Sequence, residues 1–123
     1  MIRVLVVEDN VGFRHALVGL LEEQPDIEVV GTAGSLSEAR TILEAMLDGM
    51  DVALLDRGLP DGDGLKLVGE LRAVNSSCRV YVISSTAEVI HPRDAIEAGA
   101  DGVIDKMETP EQVFAAIREP GGG

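Results

Sequence analysis

Residues 51–64 read DVALLDRGLPDGDG, and the change of character at Asp56 decides the fold. Residues 51–55 read as a strand that is apolar after Asp51, the composition of a strand covered on both faces. Pro60 and three glycines then punctuate 57–64 as a long turn-rich loop. Residues 65–74 return to a helical pattern, with Asp63 placed to cap the helix. The segment is therefore strand, carboxylate, loop and helix in succession.

The same succession recurs on either side. IRVLVV (2–7) is a strand followed by Glu8-Asp9, and Asn10 is placed to cap a helix whose apolar stripe is Phe13, Leu17, Leu20 and Leu21. Residues 27–33 read as a second strand. Ser35 and Glu38 fit the S-x-x-E capping box at the head of a helix carrying Leu36, Ala39, Ile42, Leu43 and Leu47. RVYVI (79–83) is a strand followed by Ser84, 92–98 a short helix opened by proline, 102–105 a strand followed by Lys106, and 110–118 a last helix. Five strands alternating with five helices predict a doubly wound α/β domain, because parallel strands need crossover helices on both faces.

Composition narrows the function. The 123 residues suit one domain with a sizeable core. Aromatic residues are 2% of the chain, so the core is aliphatic and there is little on which nucleic-acid bases could stack. The formal charge of −12 repels phosphate backbones and anionic lipid. Cys78 is the single cysteine, no Cys/His cluster has zinc spacing, and no apolar run is long enough to span a bilayer. The expectation is a cytoplasmic protein of reducing surroundings, with no membrane partner and no direct contact with DNA.

In open α/β sheets, ligands bind beyond the carboxyl ends of the strands. The residues that follow the strands are Glu8-Asp9, Asp56, Ser84 and Lys106, so three carboxylates, a hydroxyl and an ammonium are expected on one edge. Taken singly, each reads as turn chemistry or a solvated surface residue; their joint placement at strand ends carries the signal.

VLVVEDN (4–10), DVALLDRGLPDGDG (51–64), VYVISSTA (80–87) and EAGADGVIDK (97–106) together resemble the receiver domain of bacterial two-component response regulators, the chemotaxis-regulator-like fold. The resemblance spans residues 1–118 and implies a flavodoxin-like (βα)5 domain with a parallel sheet in the order 2-1-3-4-5. It implies that Asp56 is the phosphoacceptor, taking a phosphoryl group from the phosphohistidine of a sensor histidine kinase. Glu8, Asp9, Asp56 and the backbone carbonyl of Gly58 would hold Mg2+, a hard cation suited to oxygen ligands. Lys106 and Ser84 would contact phosphoryl oxygens, Ser84 being preferred to Ser85 because it matches the family's hydroxyl-to-lysine interval. The domain would not be an enzyme in its own right but a signalling phosphoacceptor, switching its output through the face of helix 4, strand 5 and helix 5, with a homodimer as one outcome.

Two departures stand out. The position three before the lysine usually carries Tyr or Phe and here is Val103, so activation is expected to depend on the loop after Ser84 and the helix after Pro92. Met107 replaces a frequent proline, and KMETPEQV is similar to the nitrate-regulator or LuxR-type branch. Residues 119–123 (EPGGG) read as the start of a flexible linker or a tag scar, the expectation being an excised receiver whose DNA-binding output domain lies outside this chain. One alternative is a degenerate receiver that binds proteins without phosphate. The other, a haloacid-dehalogenase-type hydrolase, would need D-x-D on the first strand.

Overall fold

Successive side chains on a strand point to opposite faces of its sheet, so a run apolar throughout must be covered on both sides. VLVV (4–7) and VALL (52–55) meet that condition. The computed structural model describes residues 1–45, 49–84 and 92–119. In it β1 (Ile2–Val7), β2 (Ile27–Ala33), β3 (Val52–Asp56), β4 (Arg79–Ser84) and β5 (Gly102–Asp105) form a parallel sheet in the order β2-β1-β3-β4-β5. This is the expected flavodoxin-like order. Leu47, Ser85, the loop after Ser84 and the 120–123 tail, all named above, lie outside the described residues.

Five helices connect and cover the strands: α1 (Val11–Glu22), α2 (Leu36–Ala45), α3 (Leu65–Val74), α4 (Pro92–Ala98) and α5 (Pro110–Arg118). The alternation divides the core into two layers. Leu5, Val7, Ala53, Leu55, Val80 and Val82 face Leu36, Ala39 and Leu43 of α2, Leu67, Val68 and Leu71 of α3, and Ala95 of α4. Val4, Val6, Val52, Leu54, Tyr81 and Ile83 face Leu17 and Leu21 of α1 and Phe114 and Ile117 of α5. Cys78 is fully buried in the first layer and its thiol is pushed up to about 11 by burial, as befits a packing residue.

Helix starts follow the sequence in part. Asn10 caps α1, its Oδ1 accepting the Phe13 N–H at 2.9 Å. Ser35 Oγ accepts the Glu38 N–H at 3.1 Å, but the reciprocal half of the expected box is absent: Glu38 Oε2 accepts from the Gly34 N–H at 3.0 Å. The free N–H groups of Leu36 and Ser37 are instead taken by the Asp61 carboxylate, at 2.8 and 3.0 Å. A complete capping box forms at Thr109 and Gln112, where none was expected. At the other end of α5, the Arg79 guanidinium donates to the carbonyls of Ala116, Ile117 and Glu119.

The loop after β3 is more ordered than its composition implied. Gly58–Leu59 pairs antiparallel with Gly62–Asp63, a two-residue ladder that the turn signals hid. Asp63 Oδ1 accepts the Leu65 N–H at 2.9 Å, as expected of a cap to α3. Gly64 packs against the Asp56 backbone so closely that a Cβ there would lie 2.0 Å from the Asp56 carbonyl oxygen. Glycine is required at this position by that approach.

Candidate functional site

Register aligns the strand ends. Val7 pairs with Leu55, Asp56 with Ile83, and Ser84 with Asp105. Glu8 and Asp9 leave β1, Asp56 and Ser84 close β3 and β4, and Lys106 leaves β5 at the same edge. Glu8 and Asp56 are buried, at 0% and 2% exposure, and Ser84 is buried as well. Asp9 is exposed, so the cluster has a dry floor and a wet lip.

One carboxylate oxygen from each of Glu8, Asp9 and Asp56 lies within 4.8 Å of the others. Lys106 Nζ sits beside them, 2.5 Å from Glu8 Oε1 and 3.5 Å from Asp56 Oδ2. Backbone donors fix the remaining oxygens: the Asn10 N–H to Glu8 Oε2 at 3.1 Å, and the Gly58 N–H to Asp56 Oδ1 at 3.2 Å. Arg14 Nη1 donates to the Glu8 carbonyl at 2.8 Å. The Lys106 N–H donates to the Ser84 carbonyl at 2.7 Å, tying the hydroxyl-bearing residue to the ammonium-bearing one through the main chain.

Crowded acids divide a proton unequally. Burial, and then the neighbouring Glu8 carboxylate, push Asp56 up from 3.8 to about 8. Burial also works against ionised Glu8, but hydrogen bonding from Asp56, Lys106 and the Asn10 N–H holds it below the ordinary range. Once Asp56 gives up its proton, three carboxylates face one ammonium and two negative charges are left uncompensated. A divalent cation balances that charge, and hard oxygen donors across this span suit one.

Every site residue expected from sequence is at this edge. Glu8, Asp9, Asp56 and Lys106 are brought together by distance, and Ser84 by register and its main-chain bond to Lys106. Gly58 lies two residues beyond Asp56, in the short ladder. Val103 pairs with Val82 and packs against the α2/α3/α4 layer. The sequence did not disclose two neighbours. Phe13, assigned only to an apolar stripe, has its ring centroid 5.0 Å from Lys106 Nζ. Arg57, next to Asp56, forms ion pairs with Asp63 at 3.2 Å and Asp94 of α4 at 3.6 Å. Its position beside the acid was the only available hint.

Residues 4–118 match the response regulator receiver domain. The chain belongs to that family. This receiver is 36% identical over 123 residues to the DNA-binding transcriptional activator DevR/DosR of Mycobacterium tuberculosis (strain ATCC 25618 / H37Rv), the match covering 100% of this chain and 56% of that protein. It is 32% identical over 117 residues to the transcriptional regulatory protein UhpA of Escherichia coli (strain K12), covering 95% and 57%. The chain thus spans about half the length of the curated relatives it matches. Among solved structures, the signal receiver domain of the putative response regulator NarL from Mycobacterium tuberculosis superposes with a TM-score of 0.82 at 30% identity, covering 97% of this receiver and 98% of that chain. No helix among the described residues is long and apolar enough to cross a membrane.

Proposed function

We propose that this receiver domain takes a phosphoryl group onto Asp56 from the phosphohistidine of a sensor histidine kinase, with Mg2+ at the acidic cluster. The observation that carries the reading is the convergence of three carboxylates within 4.8 Å with an ammonium 3.5 Å from Asp56. Glu8, Asp9 and Asp56, with the Gly58 carbonyl, would hold the cation, which supplies charge neutralisation when bound. The Asp56 oxygen attacks phosphorus as a carboxylate nucleophile while the phosphorus–nitrogen bond of the donor breaks and the imidazole leaves with the electron pair. Lys106 offers positive charge to a phosphoryl oxygen, and Ser84 a hydroxyl to another.

Residues 1–118 act as the switch. Phosphorylation biases the α4/β5/α5 face, through which an output domain is released or a homodimer forms. The DevR/DosR relative is a DNA-binding transcriptional activator, which supports a transcriptional output for the protein carrying this receiver. Any contact with DNA belongs to that output domain, and the cytoplasm is where kinase and gene are both within reach. The domain promotes only its own phosphorylation and dephosphorylation.

Incubation with acetyl phosphate and Mg2+, followed by intact-mass measurement, tests the reading. One phosphoryl mass is expected on the native chain and none on Asp56→Asn. No adduct, or an adduct that survives Asp56→Asn, favours the phosphate-independent binding module.

A further inference from the structure

Asn10 ties α1 to the acidic cluster from both of its ends. Its N–H donates to Glu8 Oε2 at 3.1 Å, and its side-chain Oδ1 accepts the Phe13 N–H at 2.9 Å. Glu8 Oε1 meets Lys106 Nζ at 2.5 Å, and the same ammonium lies 5.0 Å from the centroid of the Phe13 ring. These four contacts close a ring through Glu8, Asn10, Phe13 and Lys106. The first turn of α1 thus places an aromatic face against the cation of the site.

We propose that Phe13 is a positioning residue for phosphoryl transfer, its ring holding the Lys106 ammonium between Glu8 and Asp56. The assignment rests on the phosphoacceptor role proposed for Asp56. A lysine ends a flexible four-carbon stem, and its strongly hydrated ammonium gains by swinging into water. An aromatic face within about 6 Å attracts a cation through its quadrupole, more strongly where water is excluded. The Lys106 side chain is only 18% exposed. A ring also suits the task better than another carboxylate would. It attracts the ammonium without offering an oxygen, so it does not compete with a phosphoryl group for the same N–H donors.

Phe13 also packs against the α1/α5 layer, so a purely structural role is the alternative to be separated. An apolar cavity of about 120 Å3, lined by Phe13, Leu17, Ile104, Val113 and Phe114 among others, lies alongside the ring. It gives a branched aliphatic side chain somewhere to pack and a larger ring somewhere to extend. Phe13→Leu therefore removes the aromatic face while retaining apolar bulk, whereas Phe13→Tyr and Phe13→Trp retain the face.

The test combines three measurements on the full chain. Lys66 and Lys106 are the only lysines, so lysine-labelled protein gives two sets of ε-methylene NMR signals. Those of Lys106 are expected to be shifted by the ring in the native chain and to lose that shift in Phe13→Leu. With saturating Mg2+, the rate of labelling by acetyl phosphate is expected to fall about 3- to 30-fold in Phe13→Leu, the range of such contacts. It should recover in Phe13→Tyr or Phe13→Trp. The Mg2+ affinity, followed by titration of the Asp9 and Asn10 amide signals, should stay within about twofold, because the carboxylates are untouched. Equal rates in Phe13→Leu and the native chain overturn the proposal, as do equal losses in all three variants or a loss that follows Mg2+ affinity. Unshifted Lys106 signals in the native chain overturn the contact itself. A native chain with shifted signals that accepts no phosphoryl group refutes the phosphoacceptor reading, and the positioning role with it, while leaving the contact standing.

Discussion

Lys106 Nζ lies 2.5 Å from Glu8 Oε1 but 3.5 Å from Asp56 Oδ2, so the ammonium pairs more closely with the buried neighbour than with the proposed acceptor. Glu8 is fully buried, and removing its cation strands a charge. Fully buried pairs broken in this way lose about 3–5 kcal/mol. Lys106 retains 18% exposure, and we expect Lys106→Met to cost about 1–3 kcal/mol in urea unfolding without metal. Saturating Mg2+ should shrink that loss; an identical loss with and without Mg2+ would contradict the charge account.

The proton on Asp56 makes cation binding pH-dependent. With Asp56 raised to about 8, a dication must displace a proton at neutral pH. Mg2+ affinity should rise from pH 6 and level off above about 8, and Asp56→Asn should flatten the curve. The linked stability has a definite sign. A group whose folded pKa is raised stabilises most below its unfolded value, here 3.8, and that contribution is lost as pH rises through about 8. Asp56→Asn should therefore stabilise the metal-free chain more at pH 8.5 than at pH 5.

Gly64 is fixed by backbone proximity. A Cβ would lie 2.0 Å from the Asp56 carbonyl oxygen, and the Gly64 N–H donates to the Arg57 carbonyl at 2.8 Å. Gly64→Ala should cost about 1–3 kcal/mol as overpacking and weaken Mg2+ binding together, because the displaced backbone is that of Asp56. Full stability in the alanine variant would show that the loop relaxes freely.

Asp61 caps a helix that begins 25 residues earlier in the chain. The Leu36 and Ser37 N–H groups hold its carboxyl below the ordinary 3.8. A depressed pKa stabilises above the unfolded value and ceases to do so as pH falls through the folded one. Asp61→Ala should lower Tm at neutral pH and speed amide exchange at Leu36 and Ser37, with the Tm difference closing in acid.

Arg57, next to the proposed acceptor Asp56, reaches α4 through Asp94 at 3.6 Å. A partly exposed pair of this kind carries about 0.2–1 kcal/mol, which a double-mutant cycle on Arg57 and Asp94 should return. With Val103 where an aromatic switch is usual, Arg57→Ala should alter the change in α4 amide exchange produced by phosphorylation. An exchange response unaltered by the substitution would leave this pair no part in the switch.

The strand ends were legible because the buried stretch of a strand covered on both faces must be apolar, and VLVV (4–7) and VALL (52–55) stop being so at Glu8 and at Asp56. The S-x-x-E spacing at Ser35 was legible too, yet only half of the box formed. Asp61 already held Leu36 and Ser37, and Glu38 turned to Gly34. A cap supplied from another element leaves no local pattern. The Thr109 and Gln112 box does leave one, in T-x-x-Q, because both of its partners lie in the same turn. The ladder within 58–63 was obscured because its glycines signal turns as strongly as they permit pairing.

Apolar runs, helical spacing and the residues closing each strand determined the strands, the helices between them and which chemical groups follow each strand, because these depend on order along the chain. Whether Lys106 faces Glu8 or Asp56, which acid keeps a proton, and that Phe13 meets the ammonium were decided only by the tertiary structure. Those outcomes depend on ångström separations and loss of water between residues up to about a hundred positions apart, where Coulomb energy and desolvation are set by packing rather than by sequence order.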